Sequence, residues 1–115
     1  MLERNQMSQM QIARATVANC ISLERTQHFD VALHDAMTSS TATMAELQAA
    51  VTDCVDSLKA SNIGPVQMIL AIKACALDSA IRYHPKHAKY PASNVDLLMD
   101  QIVKWAIAEY YKNDS

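Results

Sequence analysis

No glycine and no proline occurs in this chain before Gly64. These residues are the strongest breakers of a helix, costing roughly 1 and 3 kcal/mol relative to alanine in its interior. A stretch that long with neither, and without the alternating apolar and polar runs of half-buried strands, predicts helix nearly throughout. The whole chain of 115 residues holds one glycine and three prolines, and 50% of it is hydrophobic. Such a length suits one domain, and such an apolar share supplies one core without covalent staples. The expected fold is therefore all-α: a single helical domain over residues 1–115, built as a compact bundle of four to five helices with a long N-terminal helix.

Apolar spacing places the helices. The first is expected from Leu2 to about Gln27, with Met10, Ala13, Val17, Cys20 and Ile21 on one stripe. Ile12 and Leu23 lie off that stripe, beside Thr16 and Asn19, and read either as a second, partner-facing stripe or as two stray apolar residues on a solvated face. Phe29, Ala32, Leu33, Ala36 and Met37 form the next stripe, turned by roughly a quarter circle from the first, which predicts a kink or break near Gln27 to Asp30. The polar run Thr38 to Thr43 ends this segment. Thr43 and Glu46 then have the spacing of a capping box. Met44, Leu47, Val51, Cys54, Val55 and Leu58 follow at tight helical spacing and define a core face. Gly64-Pro65 opens a fourth helix, because proline suits a first turn. Residues Pro65 to Tyr83 are apolar nearly all round, apart from a polar arc of Gln67, Asp78 and Arg82, which predicts a central helix. Ser93 or Asn94 caps the last, where Val95, Leu98, Met99, Ile102, Val103, Ala106 and Tyr110 face inward.

Charge and composition remove several function classes. The formal charge is −2 and the pI about 6.0, without the basic excess that a general nucleic-acid binder needs. The start MLERNQMSQMQ lacks the apolar stretch of a signal peptide. The run VQMILAIKACALDSAI is too short to span a bilayer and carries Lys73 and Asp78. These features predict a soluble cytoplasmic protein without a membrane segment. Cys20, Cys54 and Cys75 are an odd count spread over separate helices, neither a disulfide framework nor a CxxC pair, and read as reduced, buried or half-buried thiols.

Two elements carry possible chemistry. The segment RYHPKHAKYP, Arg82 to Pro91, gathers Arg82, His84, Lys86, His87 and Lys89 with no acid. It reads first as a solvated connector whose basic groups flank a helix C-terminus, and second as a surface for a phosphate or an acidic partner. Pro85 disrupts helical pairing of the two histidines, and two imidazoles fall short of a zinc set, so no metal site is assigned. His28 and His34, with Asp30 and Asp35, would add ligands only if the fold brought them close. The second element is a pair of charges on apolar faces. Lys73 falls within the stripe Val66, Ile69, Leu70, Ala76, Leu77 and Ala80; Glu109 falls between Ile102, Trp105 and Ala106. Lone buried charges are costly, so Lys73 and Glu109 are expected to form a buried ion pair across two helices.

A phosphate-cradling loop needs more than one glycine. A helix-turn-helix at Ser61 to Gly64 would present a recognition helix too apolar to face bases. TQHFDVALHD lacks the small residues and lysine expected after a phosphorylated histidine. The pairing of IGPVQMILAIKA with IVKWAIAEYY resembles a pattern in small, functionally uncharacterised bacterial all-α proteins. It covers about the C-terminal half, and the resemblance implies a central helix with a lysine but no activity. With no nucleophile–base set, catalytic residue or cofactor motif in the sequence, the expected function is a non-enzymatic protein-interaction or regulatory module. Its partner would be a second copy, with Ile12 and Leu23 as interface, or another protein. The alternative is a small ligand- or metal-binding protein using loop 82–91.

Overall fold

The computed structural model has five helices in succession: α1 (Leu2–Cys20), α2 (Leu23–Thr38), α3 (Met44–Ala60), α4 (Pro65–Arg82) and α5 (Ala92–Tyr110). It describes residues 2–38, 44–82 and 92–112, with side chains for 9, 11–37, 44–81 and 98–112. Among the described residues there is no strand, and no helix is long and apolar enough to cross a membrane. Helices α2, α3, α5 and α4 form a ring in which each packs on the next, and α1 lies outside it, seated on α4. Among the described residues α4 packs against each of the other four helices, so the expectation of a central fourth helix holds.

The stripes read from the sequence are largely the buried faces. Phe29, Ala32 and Leu33 of α2 are buried, as are Leu47, Val51, Cys54, Val55 and Leu58 of α3 and Ile102 and Ala106 of α5. Ala36, Met37, Leu98, Met99, Trp105 and Tyr110 pack against them from the edge. On α1, Ala13 is buried, and Val17 and Cys20 meet the core from outside the ring.

The long first helix is the expectation that fails. The helix stops at Cys20, and a new one starts at Leu23, well before the break expected near Gln27 to Asp30. Ser22 is the cause. Its hydroxyl accepts a hydrogen bond from the Arg25 N–H (3.2 Å) and its carbonyl from the Thr26 N–H (3.1 Å), so it caps α2, with Glu24 in the first turn favouring the dipole. Breaking here lets Ile21 turn into the core while α2 buries a differently angled stripe. Ser22→Ala should lower the unfolding free energy by about 1 kcal/mol. Chemical denaturation measures this, and an unchanged midpoint would contradict the capping role.

The turn between α3 and α4 follows from Asn62. Its φ of 63° is left-handed, a conformation asparagine tolerates better than most side chains. The Ile63 N–H then reaches the Leu58 carbonyl (3.1 Å) and the Asn62 N–H that of Lys59 (2.9 Å), closing the end of α3. The Gly64 carbonyl accepts the first bond of α4 from Met68 (2.8 Å), with Pro65 in the first turn as expected. Tyr110 of α5 clamps this turn by donating its hydroxyl to the Ile63 carbonyl (2.7 Å). The capping box expected at Thr43 and the polar run before it lie outside the described residues, as do the side chains of Met10, Ser93, Asn94 and Val95.

Candidate functional site

Helix α4 decides where a surface can form. At 100° per residue, Val66, Leu70, Lys73, Leu77 and Ile81 fall within an arc of about 80° extending about 22 Å along the axis. This arc faces outward. Val66 is 67% exposed, Ile81 71% and Leu77 40%; Leu70 is half-buried, and Lys73 is exposed. The opposite arc, Met68, Ala71, Ile72, Cys75 and Ser79, is buried. The sequence-based stripe around Lys73 therefore divides: Ile69, Ala76 and Ala80 turn towards the ring, while Val66, Leu70 and Leu77 do not.

Packing of α1 on one edge of α4 accounts for the difference, and Asp78 lies under it. As part of a polar arc this aspartate reads as a solvent-facing residue, yet it is the seat of α1. Arg14 clasps its carboxylate with two hydrogen bonds, from Nε to Oδ2 (3.1 Å) and from Nη2 to Oδ1 (3.0 Å). The bonded carboxylate raises the Arg14 pKa further above its ordinary value. With α1 on this edge and α5 on the other, the apolar arc is left between them. Beside it, Lys73, Met99, Asp100 and Val103 line an open recess of about 260 Å³. Asp100 is engaged by Lys104 on the next turn of α5 (3.1 Å).

The buried Lys73–Glu109 ion pair does not form. Lys73 is exposed beside Asp100, whereas Glu109 lies nine residues further along α5, roughly 13 Å on, next to Asp56 and Lys59 of α3. Partial burial, then a hydrogen bond and repulsion from Asp56, raise the Glu109 pKa above its ordinary 4.5, opposed by Lys112 and Lys59. A raised carboxyl pKa favours the folded state below the ordinary value, and that contribution disappears as pH rises through the folded one. Glu109→Gln should therefore stabilise the fold at pH 7, by no more than about 0.5 kcal/mol for so exposed a group. The gain should vanish below pH 4.5, and a constant difference across pH would exclude this origin.

Of the basic segment, only the helical backbone of Arg82 is described; its side chain, His84, Lys86, His87 and Lys89 lie outside the described residues. Ile12 (53% exposed) and Leu23 (71%) are both accessible, but the break at Ser22 puts them on different helices, so they form no second stripe of one helix. His28 meets Glu46 across α2 and α3 (3.4 Å). Among the described residues no group of three or more His, Cys, Asp or Glu is arranged to hold a metal ion.

A second cleft, of about 130 Å³, opens between α1, α2 and α4 and is lined by Arg14, Val17, Thr26, Asp30, Cys75 and Asp78. Its principal polar groups already serve the fold, since Arg14 and Asp78 hold α1 and the Thr26 hydroxyl bonds the Leu23 carbonyl (2.9 Å). The second cysteine, Cys54, is fully buried. Burial above all, with Asp53 adding and Arg25 opposing, pushes its thiol up to about 12. A maleimide or disulfide reagent should modify half-buried Cys20 first and leave Cys54 untouched until the chain unfolds. Equal labelling rates in folded protein would refute the burial of Cys54. Compared with models of known families, with curated proteins and with solved structures, the chain matches none.

Proposed function

We propose that this chain is a non-enzymatic protein-interaction module whose working surface is the outward face of α4. One observation carries the reading. Val66, Leu77 and Ile81 are exposed and Leu70 half-buried along one outward arc, with Lys73 at its middle, on the helix that is otherwise the centre of the bundle. Isolated exposed apolar side chains are ordinary, but a contiguous strip costs solvation free energy that a partner's surface would recover. The strip follows one helix axis, so it suits a docked helix. Association with a second copy is one form of this reading.

A photo-reactive amino acid at position 77 or 81, compared with one at Gln48 or Ala49 on the exposed side of α3, tests the proposal in cells making the chain. Discrete cross-linked products at 77 and 81 only are expected. Products of equal yield at all four positions, or none at 77 and 81, would overturn it. A product of twice 12.7 kDa identifies a second copy.

A further inference from the structure

Lys73 narrows the choice of partner, on the premise that α4 is the interaction face. The strip advances in steps of four, three, four and four residues through Val66, Leu70, Lys73, Leu77 and Ile81. That is the spacing of a seam between two helices crossing at a small angle, with Lys73 at its middle. A docked helix would desolvate this ammonium group. Lys73 makes no ion pair among the described residues, and the adjacent carboxylate, Asp100, is engaged by Lys104. A wholly apolar partner would leave a charge without compensation at the centre of the contact, which is costly. A second copy packed antiparallel with its strip in register would bring Lys73 against Lys73, which like-charge repulsion opposes.

We infer that the partner is an amphipathic helix whose apolar face carries one acidic residue near its middle, seated along α4 with that carboxylate on Lys73. The recess of about 260 Å³ beside the strip holds Lys73 and Asp100, and because Lys104 engages Asp100, Lys73 is the cation left for an incoming acid. Met99 and Val103 offer an apolar wall to the methylenes of a glutamate, and Lys73 offers the counter-charge. The strip is about 22 Å long, which asks for a helix of about four turns. The lysine thus acts by exclusion as much as by attraction: it rejects apolar or basic helices that would fit the same groove by shape.

Three synthetic helical peptides of about 18 residues test this. They share one leucine stripe and differ at its centre, which is Glu, Gln or Lys. Each is titrated into the full chain by fluorescence anisotropy. The Glu peptide should bind at least about tenfold more tightly than the Lys peptide, and Lys73→Glu, checked for folding by circular dichroism, should reverse the order. Equal affinity for all three, lost in Ile81→Glu, would overturn the acidic partner and leave the α4 surface standing. No binding, or binding indifferent to both Leu77→Glu and Ile81→Glu, would overturn both. Self-association of the chain alone, abolished by Ile81→Glu, would assign the face to a second copy and also overturn the inference.

Discussion

Phe29→Ala should lower the unfolding free energy by about 3–5 kcal/mol, one of the two largest effects expected in this protein. Phe29 is 1% exposed and heads the fully buried side chains by volume. It sits on α2, which packs against both α3 and α4, so truncation opens a cavity where three helices meet. Rigid helices cannot collapse fully into such a space, and the lost contacts add to the transfer term. A domain of this size has about 5–15 kcal/mol in total, so the variant keeps half of its stability or less at the lower end. Urea denaturation followed by circular dichroism measures the change. A loss below about 1 kcal/mol would mean that Phe29 is not enclosed as described.

Leu58→Ala should cost about 2–5 kcal/mol, and part of that should depend on Tyr110. Leu58 is fully buried, and its carbonyl closes the end of α3 by accepting from Ile63. The Ile63 carbonyl in turn accepts the Tyr110 hydroxyl, so the α3 terminus, the turn and α5 form one connected unit. Tyr110→Phe alone should cost about 1 kcal/mol, the net value of such a bond. If loss of Leu58 loosens the turn, that bond weakens in the variant, and the double variant should lose less than the two single ones together. The coupling should be at least about 0.5 kcal/mol in a double-mutant cycle. Strict additivity would show that packing of Leu58 and the Tyr110 bond act independently.

The legible and illegible parts of this molecule separate on physical grounds. The face of α3 could be read directly because its apolar residues stand opposite Glu46, Asp53 and Asp56, so periodicity identified the buried side. The break at Ser22 had a signal, a serine followed by Leu-Glu-Arg, but continuous helix propensity on both sides masked it. The residues of the α4 surface are visible in the sequence, but their orientation is not. Val66, Leu70, Lys73 and Leu77 formed a stripe that looked like core, and Lys73 looked like a charge in need of a buried partner. In the structure the lysine lies on the outward side.

The sequence by itself determined that the chain is helical, where α3 and α4 meet, and most of the residues of α2 and α3 that fill the core, though Met44 is exposed and Ala50, off the expected stripe, is buried. Each of these rests on local chemistry: the lack of breakers, the Gly64-Pro65 start, and amphipathic spacing within one helix. The tertiary structure alone decided which side of α4 faces water. That helix is apolar nearly all round, so its own pattern carries no preference, and the choice passes to its neighbours. Arg14 seats α1 on Asp78, α2, α3 and α5 cover the opposite arc and the other edge, and Val66, Leu70, Lys73, Leu77 and Ile81 are left outward.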